Sequence, residues 1–177
     1  RSMGSLYWQL NDAWTSISWS SIDYLGNKKA LHYKLSEIYA PILLGLDIKG
    51  KDLYDVWVSN DLQRDIDGRV RIIVEDMEGN QMFAFSEKAD VKANSCYRLP
   101  NKVNINTLNK KKSECYARII FMEDDTILSE RIHFFTYPKD LELIETEINP
   151  NINFKNGKYY IEFTTDVFVK DLYIEAS

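Results

Sequence analysis

A chain of 177 residues is long enough for one large domain, or for one medium domain with pieces of others. Its net charge of −5 comes from 27 acidic and 22 basic residues scattered along the sequence, and the absence of a basic stripe argues against a nucleic-acid partner. No apolar run approaches the roughly 18 residues of a membrane span, so no membrane partner is expected either.

Arg1-Ser-Met-Gly4 lacks the pattern of a signal peptide and runs straight into a predicted strand, an abrupt start that reads as a chain cut from something longer. Residues 5–10 read as a short buried strand, apolar with Tyr7 and Trp8 near its end. Trp8, Trp14 and Trp19 fall within twelve residues, beside Gln9, Asn11, Asp12 and Asp23. Flat aromatic surfaces next to short polar side chains suit a polyhydroxylated ligand, whose C–H faces stack on rings while its hydroxyls need fixed donors and acceptors. The competing reading is a tryptophan-rich core. Residues 15–21 form a polar and aromatic loop, and from Ile22 to Tyr39 the spacing predicts a helix with Leu31, Leu35 and Ile38 on its apolar face. Asp23 fits its N-cap or first turn, and Pro41 ends it.

Beyond Pro41 the period becomes two. Strands are predicted over 42–49, 53–60, 69–75, 115–122 and 127–137, with Asp67-Gly68 and Glu78-Gly79-Asn80 as turns. Strands at short spacing with no helices between them mean an antiparallel sandwich, immunoglobulin-like in outline but without the Cys-Trp-Cys signature of antibody domains. Cys96 and Cys115 fit no metal-ligand spacing and read as free, half-buried thiols; with His32 on the helix and His133 in a strand, no zinc site is expected. Lys110-Lys-Lys112, between two strands, reads as a solvated turn rather than a phosphate site. Residues 159–164 and 169–174 continue the strand pattern, and Asn156-Gly157 marks a hairpin. About thirty residues are too few for a core of their own, so this tail should lie against the sandwich or pair with another chain.

Gly4-Ser-Leu-Tyr-Trp-Gln-Leu-Asn-Asp-Ala-Trp14, Ser18-Trp-Ser-Ser-Ile-Asp-Tyr24 and Lys29-Ala-Leu-His-Tyr33 together resemble the last strand, following loop and last helix of the catalytic barrel of β-mannosidases of glycoside hydrolase family 2. Thr15 stands where that family usually has proline, and Asn27-Lys28 where it often has Arg-Trp. About a hundred residues later, and in the order the family requires, Phe134-Phe-Thr-Tyr-Pro-Lys-Asp-Leu-Glu-Leu143 is similar to the segment that closes the module after the barrel. The fold this implies is mainly β: an immunoglobulin-like antiparallel β-sandwich preceded by a strand and helix from the end of a (β/α)8 barrel. The implied divisions are 1–40 for the barrel end, 41–143 for the sandwich and 144–177 for the first strands of an incomplete C-terminal sandwich.

Retaining glycosidases of this kind use two carboxylic acids about 5 Å apart. The family carries both as glutamates on earlier barrel strands. No residue from Gly4 to Leu10 is acidic and no Asn-Glu pair occurs in the sequence, so the chain alone is expected to be inactive. The resemblance implies supporting parts at the C-terminal ends of the barrel strands: Trp8 as wall or floor beneath the sugar, Asn11 and Asp12 as polar neighbours, and Trp14 and Trp19 lining the mouth. Gln9 alternates away from Trp8, and Asp12 without a partner carboxylate reads as an acceptor in its own turn. No cofactor is expected, and the partner is a mannose-containing oligosaccharide. Rival readings are another family 2 activity, β-galactosidase or β-glucuronidase, and a non-catalytic glycan-binding module. Apolar positions Leu6, Leu10, Leu31 and Leu35, separated from barrel neighbours, should repack or be covered by self-association.

Overall fold

The computed structural model describes residues 4–174; the opening Arg1-Ser-Met of the signal-peptide question lies outside the described residues. The chain divides into two compact units, one ending at Leu43 and the other beginning at Leu44.

In the first unit, one helix is regular: α1, Ala30–Ile38. Leu35 is buried in its middle, Leu31 is half-buried and Ile38 is 40% exposed. The helix starts eight residues later than its periodicity suggests, because Asp23 is not its N-cap. Instead the Asp23 carboxylate accepts the backbone N–H of Leu25 (2.9 Å) and Asn27 (2.8 Å) and the Asn27 side-chain amide (2.9 Å), folding 23–27 into a side-chain-closed turn. Aspartates that offer backbone donors a local alternative compete with helix in this way.

Residues 5–10 are neither strand nor buried: Leu6 is fully exposed and Leu10 is 57% exposed. A strand exists only with a hydrogen-bonded neighbour. Here the described residues supply single bridges, Asn11 to Ile22 and Ile22 to Lys28, with Ser21 N–H donating to Gln9 O (3.0 Å) and Ile22 N–H to Leu10 O (2.9 Å). Of the four leucines expected to need covering, Leu35 is buried and Leu31 half-covered, while Leu6 and Leu10 stay open.

From β1 (Ile42–Ile48) onward the chain is antiparallel sheet. β2 (Leu53–Asn60) joins β1 to β5 (Ser95–Asn104) in a three-stranded sheet. β3 (Ile66–Asp76), β4 (Gln81–Val91), β6 (Cys115–Glu123) and β7 (Thr126–Phe134) form a second sheet in the order β4-β3-β6-β7. The core consists of alternating positions, with Tyr54, Val56 and Val58 of β2, Val70, Ile72 and Val74 of β3, and Ala117, Ile119 and Phe121 of β6 all at most 1% exposed. This is the sandwich expected from the period-two pattern.

Two strands escaped the sequence reading. β4 sets Glu87 and Ala89 among its core-facing positions, and β5 carries Cys96, Arg98 and Pro100. Proline is tolerated there because β5 is an edge strand and its ladder with β2 is irregular opposite Asp55–Trp57. Asp67-Gly68 is not a turn but lies inside β3, facing Asp90-Ala89 of β4. A Cβ on Gly68 would sit 2.5 Å from the Phe121 ring and 2.7 Å from Met122 O, so the glycine serves the close approach of β6.

The Asn156-Gly157 hairpin forms as expected, joining β8 (Asn149–Lys155) to β9 (Lys158–Thr164) through two positive-φ residues, +53° and +73°. Pro150, Ile152 and Phe154 pair with Phe163, Ile161 and Tyr159, placing one apolar face along the ribbon. The strand expected over 169–174 is not formed, and among the described residues no third strand lies alongside β8 and β9 to pair with it. Instead this tail folds back on the sandwich: Phe168 N–H donates to Met77 O (2.9 Å), and its ring stacks on Tyr116 at 4.1 Å between centroids.

Candidate functional site

The first unit gathers the sequence-predicted residues on 8–12 and on the 14–19 loop. Trp8, Trp14 and Trp19 are 76, 71 and 74% exposed, Asn11 is exposed, and Asp12 is buried. Leaving three indoles in water forgoes the burial of roughly 400 Å² of apolar surface, on the order of 10 kcal/mol. The core reading of the tryptophan cluster is thus not realised here. The fourth tryptophan differs: Trp57 is half-buried on β2 and donates its Nε1–H to Asp47 (3.0 Å), which also pairs with Arg98 (2.7 Å).

Asp12 is the centre of a polar network that spacing did not reveal. Its Oδ2 receives Lys29 Nζ at 2.8 Å, and its Oδ1 accepts the Ser18 hydroxyl. The same ammonium donates to Ser20 Oγ (2.7 Å) and Ser18 Oγ (3.3 Å), so all three of its protons have acceptors. Ser20 N–H donates to Ser18 Oγ (3.1 Å), closing a turn with Trp19 at its middle. The hydrogen bonds from Lys29 and then Ser18 hold the Asp12 carboxyl down at about 2, fully ionised at neutral pH. Ser21 is buried below, its hydroxyl donating to Leu10 O (2.8 Å), and Asn11 Nδ2 donates to Asp12 O (3.2 Å). Asp12 therefore acts within the fold, as the acceptor of its own loop, rather than as an open acid. Asp23 is likewise a loop-closing carboxylate.

The chemistry available elsewhere is narrow. A general acid working near neutrality needs a carboxyl pushed up. Every displaced carboxyl among the described residues moves the other way, as where Lys92 pairs with Asp65 or Arg64 grips Glu123. No group of three metal-ligating side chains is present among the described residues, nor is a helix there long and apolar enough to cross a membrane. The lysine run is paired internally, Lys110 with Asp76, Lys111 with Glu114 and Lys112 with Asp52, in agreement with a solvated turn. Both cysteines are free, though not half-buried: Cys96 is exposed and Cys115 is buried.

Comparison with known proteins assigns the sandwich. Residues 52–140 match the family described as Mannosidase Ig/CBM-like domain. β-Mannosidase A of Aspergillus oryzae is 28% identical over 94% of this chain and 20% of its own length. Mouse β-mannosidase is 27% identical over 98% of this chain and 21% of its own length. The chain thus spans about a fifth of the length of the curated relatives it matches. In three dimensions, the β-D-mannosidase of Dictyoglomus thermophilum superposes with a TM-score of 0.66 and 18% identity over 88% of this chain and 23% of that one, a likeness of fold.

Proposed function

The chain belongs to the Mannosidase Ig/CBM-like domain family, and from that membership we propose that it is the part of a retaining β-mannosidase that follows the catalytic carboxylates. In this reading 1–40 supplies one wall of the sugar site, 41–143 is the immunoglobulin-like sandwich, and 144–177 opens a further β-module. Trp8 is the floor or wall beneath the sugar, Asn11 its polar neighbour, and Trp14 and Trp19 line the mouth, while Asp12 holds the loop in place. The carrying observation is that three indoles are left exposed on the 8–12 segment and the 14–19 loop, which the half-buried, fully hydrogen-bonded Asp12–Lys29 pair anchors. The parent enzyme removes terminal β-linked mannose by double displacement, through two glutamates that this sequence does not hold.

Two measurements test the reading. Incubated with an aryl β-mannoside, this chain should give no turnover; rates of about 1 s⁻¹ or more would overturn it. Sequencing the gene upstream of the Arg1 codon should find two glutamates in one open frame, whereas an in-frame stop directly before Arg1 would refute it. That second outcome, combined with calorimetric binding of manno-oligosaccharides abolished in Trp8→Ala, would favour the glycan-binding module instead.

A further inference from the structure

Trp19 sits between two serines that are both held from below. Ser18 Oγ and Ser20 Oγ lie 3.3 and 2.7 Å from Lys29 Nζ, and Ser18 also donates to Asp12. With both flanking side chains turned inward and the Ser20 N–H to Ser18 Oγ bond closing the turn, the middle residue points the other way, which leaves the indole 74% exposed. Lys29 is fixed in its turn, because its backbone N–H donates to Ser21 O (2.9 Å) at the base of α1. Asp12 is fixed as well, its N–H donating to Ile22 O (3.1 Å).

An ion pair whose carboxylate is buried but whose lysine is 28% exposed adds little net stability, since desolvation and solvent screening offset most of its attraction. What such a pair does supply is one geometry. We infer that Lys29 is the positioning residue for Trp19: its ammonium, locked on Asp12, grips the two serines and sets the direction in which the indole is presented. The identity of the ligand rests on the sugar reading above; the positioning itself does not. Lys29 touches no ligand in this scheme. A methionine in its place keeps the stem but releases both serines, and the ring then samples several orientations.

The test uses this chain labelled with 5-fluorotryptophan, with the four fluorine resonances assigned by single Trp→Phe exchanges. In the wild type Trp19 should give one sharp line. Lys29→Met should broaden or split that line and leave the Trp57 line, which reports the sandwich, in place. Because Lys29→Met removes the partner of a buried carboxylate and could unfold the loop altogether, Ser18→Ala/Ser20→Ala is the second variant: it keeps the ion pair, cuts the tether and should alter the Trp19 line in the same way. A Trp19 line unchanged in both variants overturns the inference. Adding mannobiose separates the two ideas. If it moves the Trp19 line in the wild type and binds about fivefold or more weakly to the variants, the clamp serves a sugar. If it moves no line while the variants still disturb Trp19, the clamp stands and the glycan-binding-module reading of this chain by itself falls.

Discussion

His133 should make the sandwich lose stability in mild acid. It lies on β7 opposite Ala117, with its ring edge-on to Tyr54 (5.8 Å) and Phe135 (5.6 Å). Burial among these rings, and then the charge of Arg131, pushes its imidazole down from 6.5 to about 4. Above pH 6.5 the ring is neutral whether the chain is folded or unfolded. As pH falls from 6.5 toward 4 the unfolded chain takes up a proton that the folded chain refuses, so stability drops across that window. At 1.36 kcal/mol per pH unit the loss reaches about 3 kcal/mol by pH 4. His133→Phe, which fits the aromatic surroundings, removes the proton site, and its stability should stay nearly flat over the same range apart from changes shared with the wild type. Asp12 titrates near 2, below the window, and the other acidic carboxylates contribute equally to both proteins. Urea unfolding at pH 7, 5.5 and 4.5 measures the difference. Parallel curves for the two proteins down to pH 4.5 would show that the imidazole is not shielded as described.

Asn60, fully buried at the end of β2, points its amide toward the carbonyls of Arg64 (2.9 Å), Lys92 (3.1 Å) and Val91 (3.3 Å) and accepts Leu62 N–H (3.0 Å). Asn60→Ala should cost about 3 kcal/mol in chemical denaturation, and Asn60→Asp more at pH 7, with partial recovery in acid as the new carboxyl protonates. Gly68→Ala should cost roughly 1–3 kcal/mol by overpacking; Phe121→Leu in the same chain should recover only part of that, because Met122 O stays 2.7 Å away. A disulfide reagent should modify exposed Cys96 alone in the native protein. Cys115, 1% exposed and with its thiol raised to about 11 by burial, should react only after denaturation.

The sandwich was legible where one face of a strand is apolar and the other polar. β2 and β3 satisfy this, whereas β1 and β6 were legible as apolar runs, β6 burying Tyr116, Ala117, Ile119, Ile120 and Phe121 on both of its faces. β4 and β5 were masked by polar and breaker residues: Glu87 interrupts the inward row Phe83, Phe85, Ala89 and Val91 of β4, and Arg98 and Pro100 interrupt β5, residues an edge strand tolerates because one of its sides is unpaired. Gly68 misleads for a related reason. In sequence, Asp-Gly reads as a turn, but what selects this glycine is the Phe121 ring of β6, more than fifty residues away.

The tryptophan-rich segment reads in the opposite sense. Local pattern marks residues 5–10 as a buried strand, yet among the described residues no neighbouring strand pairs along them, and Leu6 and Leu10 face solvent. What persists without those neighbours is the part that closes on itself: the Asp23 turn, the short ladder between 9–12 and 21–22, and the Asp12, Ser18, Ser20 and Lys29 network. Tryptophan, asparagine and aspartate drew attention because they are the residues a sugar would touch. Lys29 carried no such signal, since its partners are nine to seventeen residues away and only the folded loop brings them to one ammonium. The loop's self-sufficiency has a physical consequence: the direction of Trp19 is set by bonds inside the first unit, so the ring keeps its presentation whether or not other strands pack against residues 5–10.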